Sequence, residues 1–107
     1  MAEKSAIVWQ RIPPYQRWIE SISVPIHRGY YIEDLRKVEL GRWEERDCDA
    51  AFLELTGQEG VTGAYVTEIA PGKTLPPFRT MVDEAVYVLQ GRGIAKVWTE
   101  EKSKRIF

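Results

Sequence analysis

Two runs rich in β-branched and aromatic residues, 84–90 (Glu-Ala-Val-Tyr-Val-Leu-Gln) and 94–98 (Ile-Ala-Lys-Val-Trp), flank the tripeptide Gly91-Arg92-Gly93. Neither run spaces its apolar residues as a helix would, and a Gly-x-Gly connection accepts positive φ, so the pair predicts a β-hairpin. From Ala85 to Leu89 the first run is almost continuously apolar, which predicts a strand covered on both faces, as in a sandwich or a closed barrel. On this reading the chain is mainly β, and the sheet is its core.

The punctuation around these runs resembles the first motif of the cupin superfamily, which reads Gly, five residues, His-x-His, three or four residues, Glu, six residues, Gly. Gly72 opens the frame, Glu84 stands at the Glu position and Gly91 follows after six residues; the phrases Ile-Ala-Pro-Gly at 69–72 and Tyr-Val-Leu-Gln-Gly-Arg-Gly at 87–93 are also similar to cupin sequences. Upstream, Gly-Tyr-Tyr-Ile-Glu-Asp-Leu at 29–35 and the later Trp43 resemble the arm that precedes the first barrel in certain two-barrel cupins. The resemblance implies a partial jelly roll, or double-stranded β-helix: residues 1–50 form an N-terminal arm with one short helix, and residues 51–107 form an incomplete barrel sheet carrying the first motif alone.

In that family both imidazoles and the Glu hold a divalent metal, with a further His from a second motif downstream. Here Phe78 and Thr80 occupy the histidine positions, with Arg79 between them, and the sequence reaches Phe107 without a second motif. Side chains two apart on a strand share a face, so Phe78 and Thr80 keep the geometry while removing the ligands. A phenyl ring cannot coordinate, and Thr80 with Glu84 falls short of the three or four ligands a transition metal needs. No metal or other cofactor is therefore expected, unless a partner chain restores the missing ligands.

What remains is a possible ligand site made of Phe78, Arg79, Thr80, Glu84 and Tyr87, with Phe78, Tyr87 and Val97 lining the former metal cavity. Glu84 is the one catalytic candidate, as a carboxylate acting as acid or base beside an anion contact from Arg79. The plainer reading puts Asp83 and Glu84 at a strand edge, solvated or paired with Arg79 or Arg92. The two carboxylates face opposite sides of a strand and cannot work as a pair. Gly91-Arg92-Gly93 lacks the helix and the Lys of a phosphate loop.

Elsewhere, Pro13-Pro14 followed by Tyr15, Trp18, Ile19 and Ile22 at helical spacing predicts a short amphipathic helix whose aromatic stripe packs on the sheet. Before it, Ile7-Val8-Trp9 is a brief apolar patch. Residues 30–43 mix alternation with charge, and a wrapping segment with a turn at Glu33-Asp34 fits them. Residues 51–55 and 61–69 read as strands joined by a turn-rich link, and 105–107 as the start of a further strand. The four tryptophans, at 9, 18, 43 and 98, could line a sugar or aromatic pocket, but packing of the arm against the sheet is their commoner use.

Cys48 is the sole cysteine, and its neighbours Asp47 and Asp49 disfavour a thiolate; His27 stands alone without partners at ligand spacing. With a net charge of −1 and no long apolar run, the sequence favours neither nucleic acid nor membrane, and a cytoplasmic location is expected. Three functions are compatible with these residues. The first, preferred, is a metal-free cupin-type domain that is a structural or oligomerising half, or a fragment, of a larger cupin, with a homodimer or another cupin segment closing its open edges. The second is a module that binds or senses a small molecule. The third is a metal-dependent dioxygenase, isomerase or hydrolase acting on a small organic acid or sugar.

Overall fold

The structure, a computed structural model, describes residues 14–80, 82–100 and 104–107. The Ile7-Val8-Trp9 patch lies outside the described residues. The main sheet is arranged around strand β3 (Cys48–Leu55), in which Cys48, Ala50 and Phe52 alternate onto one buried face. Along one edge β3 pairs antiparallel with β4 (Ala64–Glu68), placing Phe52 opposite Tyr65 and Ala51 opposite Val66. Two short strands share the other edge end to end. β2 (Gly41–Trp43) runs antiparallel with Trp43 opposite Cys48, and β1 (Ile26–Gly29) runs parallel with Ile26 opposite Phe52. Among the described residues the result is an open mixed sheet with one α-helix, and the structure is mainly β.

Gly41 makes the end-to-end arrangement possible. A Cβ there would lie 2.6 Å from Cδ of Pro25, the residue that leads into β1, so any side chain would force the two short strands apart. From β2 the chain enters β3 through a 3-10 turn, Glu44–Arg46, closed by Asp47 in the left-handed region at φ 55°. Asp is among the few non-glycine residues that tolerate that conformation. Its N–H donates to the Glu44 carbonyl, and its carboxylate is held by Lys73 at 2.9 Å and by Arg42. These two cations keep the Asp47 carboxyl below its ordinary range.

The helix α1 (Pro14–Ser21) crosses the buried face. Eight residues are too few to be helical alone in water, so α1 owes its form to the stripe that Ile19 and Trp18 lay on the sheet. Ile19, Val24, Trp43, Cys48, Ala50 and Phe52 form the core, with Ile22, Ile26, Tyr65 and Leu75 packed at its margin. Its centre is aromatic: Phe52 meets Trp43 at 5.1 Å and Trp18 at 5.5 Å between ring centroids, and Trp43 meets Tyr65 at 5.6 Å, all edge to face. This is the packing role expected for Trp18 and Trp43. Burial raises the Cys48 thiol pKa, in keeping with an unreactive core residue.

Burial also raises the hydroxyl pKa of Tyr15 and of Tyr65, each with a smaller push from a carboxylate, Glu54 or Glu84. A folded-state pKa above the unfolded one contributes stability below the unfolded value and loses it as pH rises through the folded value. Because the ordinary value is 10.0, urea midpoints should hold steady from neutrality to about pH 9 and fall above about pH 10. Tyr65→Phe should flatten part of that alkaline fall.

The sequence-predicted elements fare unequally. The helix expected from Tyr15 onward forms at Pro14–Ser21, the strand at 51–55 starts earlier at Cys48, and the strand at 61–69 narrows to Ala64–Glu68. The proposed division at residue 50 falls inside β3. In the wrapping segment the turn is a 3-10 turn, Leu35–Lys37, capped by Asp34, whose side chain accepts from the Arg36 N–H.

The expected hairpin requires correction. Residues 84–90 form no strand, and β5 (Lys96–Trp98) pairs instead with β6 (Lys104–Ile106), with Ala95 and Phe107 extending that ladder by two backbone hydrogen bonds. Gly91 does take positive φ, 79°, but no strand precedes it. Far from being covered on both faces, Val86 and Tyr87 are 81% and 85% exposed. Strand propensity expresses itself only against a partner strand, and none of the described residues offers one to 84–90. The radius of gyration, 16.6 Å, exceeds the roughly 13 Å of a compact chain this long.

Candidate functional site

The sequence candidates do not converge. Phe78 stacks on the guanidinium of Arg46, with its ring centroid 3.6 Å from the central carbon. Arg79 pairs with Glu100 at 2.9 Å, not with Asp83, Glu84 or any shared ligand position, and both partners are exposed. Thr80 accepts a hydrogen bond at 3.3 Å from the Val82 N–H, the kind of local turn contact that threonine makes in loops. Glu84 accepts from the Tyr65 hydroxyl at 2.8 Å. Tyr87 projects into solvent, as does Val97, so neither lines a cavity with Phe78. Residues 78–80 lie on no strand, and the shared strand face expected for Phe78 and Thr80 is absent. Among the described residues no three His, Cys, Asp or Glu side chains gather as metal ligands.

A different cluster does form, around Arg46 at the end of the β2–β3 turn. The loop 73–80 is brought to it in three steps: Lys73 pairs with Asp47, Leu75 packs on the core, and Phe78 closes over the guanidinium. Pro76-Pro77 stiffens the stretch between the last two. Arg46 also lies 5.3 Å from the Trp43 ring centroid, so the cation contacts two aromatic rings. The same cation pulls the Tyr65 hydroxyl towards lower pKa, while burial and Glu84 push it the other way and prevail.

Two donors in this cluster stand out. Nε of Arg46 and Nε1 of Trp43 are both buried, and among the described residues neither has a hydrogen-bond acceptor. Trp43 as a whole is 3% exposed. Leaving a buried donor unmet costs about 1–3 kcal/mol, so such atoms ordinarily have a partner. No described carboxylate forms an ion pair with Arg46 either.

Sequence reasoning found Phe78 and Glu84 but missed Arg46, Trp43 as a donor, and Tyr65. Arg46 sits in the charged run Glu44-Glu45-Arg46-Asp47, and nothing in the spacing links it to Phe78, 32 positions on. His27 lies elsewhere, beside a shallow hollow of about 540 Å3, and its Nε2 is engaged with the Glu39 carbonyl at 2.9 Å.

No protein-family model matches the chain, and neither the curated proteins nor the solved structures contain a match to it. The likeness to cupins rests on the Gly72, Glu84 and Gly91 frame and the phrases around it.

Proposed function

We propose that this chain is a non-catalytic, metal-free β domain of cupin type that works by association, supplying one part of a jelly roll that a second copy completes. The observation that carries this reading is the state of residues 84–89. The segment is fixed at both ends, by Tyr65 on Glu84 and by Arg36, which donates to the Leu89 carbonyl at 3.3 Å. Between these anchors Val86, Tyr87 and Val88 are exposed. A tethered, apolar, β-prone segment without a strand partner is a template for edge pairing.

Charge favours a second copy as the occupant. Glu84 opens the apolar run and Arg92 follows it. Laid antiparallel on itself about Val88, the segment sets Glu84 of each copy opposite Arg92 of the other, on the same face of the shared sheet. Such a two-fold contact is self-complementary, as a symmetric dimer requires. The same two-fold axis doubles every contact made.

Light scattering on the eluting protein tests the proposal: a dimer is expected at micromolar concentration, and a monomer at all concentrations would overturn it. Metal analysis of the same peak separates this reading from the enzymatic alternative, since a near-stoichiometric transition metal would replace it by a metal-dependent one. No helix among the described residues is long and apolar enough to cross a membrane.

A further inference from the structure

Arg46, Trp43 and Phe78 have no part in that association, and they pose a separate question. The Arg46 guanidinium lies 3.6 Å from the Phe78 ring centroid and 5.3 Å from that of Trp43, contacts that engage its face and leave its N–H groups for hydrogen bonding. Its Nε and the indole N–H of Trp43 are buried donors without acceptors among the described residues. The cluster therefore offers positive charge and two donors, with apolar walls. Phe78, the outer wall, is half exposed and stands on a loop, so its side chain can turn aside without disturbing the sheet.

We propose that Arg46 and Trp43 bind the carboxylate of a small organic acid, with Phe78 stacked on the acid's apolar part. A carboxylate supplies the acceptor oxygens both donors lack and the negative charge that Arg46 lacks; planar carboxylate and planar guanidinium edge match in geometry. Trp43 brings its N–H from a residue locked in the aromatic core, so one donor is rigidly placed before any ligand arrives. Glu84 lies beyond the Tyr65 hydroxyl and bears its own negative charge towards the site. It opposes anions in general and weakens the intended ligand somewhat.

The test uses sodium benzoate, sodium acetate and inorganic phosphate as probes, with nitrogen–proton correlation spectra of the full chain. Trp43 indole and Arg46 Nε–H signals are assigned through Trp43→Phe and Arg46→Lys. Benzoate is expected to shift both signals saturably, with acetate and phosphate, which offer Phe78 little or no apolar surface, doing so only at much higher concentration. Arg46→Gln should cut benzoate affinity at least about tenfold, and Glu84→Gln should raise it about two- to fivefold by removing a nearby like charge. Should Arg46→Gln fail to fold, Phe78→Ala serves instead: as an exposed-rim change it should bring benzoate affinity down to that of acetate. The proposal is overturned if neither signal moves with benzoate, if phosphate moves them at the same concentration, or if Phe78→Ala leaves the preference for benzoate intact. Because these signals are read on single residues, failure here leaves the dimer measurement, and the reading it tests, untouched.

Discussion

Phe52→Ala is expected to lower the free energy of unfolding by about 3–5 kcal/mol, the range for removing a fully enclosed phenyl ring. Phe52 is 1% exposed and touches Trp18, Trp43 and Tyr65 in edge-to-face geometry, so the substitution removes three aromatic contacts as well as apolar area. The walls of the resulting cavity cannot collapse easily, because Ala50 and Ala51 are already small and the β3 backbone is paired on both edges. A domain of ordinary stability, about 5–15 kcal/mol, would lose a large share of it. Urea denaturation followed by tryptophan fluorescence would measure the loss. Val86→Ala, at an exposed site, is the reference and should change the monomer by less than about 0.5 kcal/mol. Equal effects at the two positions would mean that the aromatic cluster is not the core.

How much of this was readable in the sequence depends on whether a signal was local. The helix was readable because Pro14 at its first turn and the stripe of Trp18, Ile19 and Ile22 belong to one short stretch. β3 and β4 were readable because both carry their own run of strand-forming residues. β1 and β2 were not: His27-Arg28 and Gly41-Arg42-Trp43 have no strand signature, and they become strands only because β3 offers an edge to each. The reverse happened at 84–90, where the strongest local signature in the chain met no partner strand. Arg46 fails on the same principle. Its environment is assembled from β2, β4 and the loop 73–80, and no stretch of sequence contains it. The Gly-x-Gly connection can accept positive φ, and Gly91 adopts it, at 79°, yet the hydrogen-bonding of a hairpin there depends on pairing that the glycines do not encode.

The double substitution Val86→Lys with Val88→Lys should abolish association while sparing the fold. If residues 84–90 pair with their symmetry mates, each copy buries both valines, and losing that burial costs about 3 kcal/mol, roughly a hundredfold in Kd. Lysines placed together across a two-fold axis add like-charge repulsion, and charged side chains are the usual natural defence of open strand edges. In the monomer both side chains already meet solvent, so the urea midpoint measured at a concentration below dissociation should not move. A paired charge reversal sharpens the result. Glu84→Arg alone sets two cations opposite one another at each end of the proposed antiparallel contact, and Arg92→Glu alone sets two anions there. Combined in one chain, they restore an attractive pairing in the swapped sense, so the single variants should weaken the dimer and the double variant should recover it. Recovery would identify the register as well as the partner, whereas a dimer indifferent to all four substitutions would have to be held by some other surface.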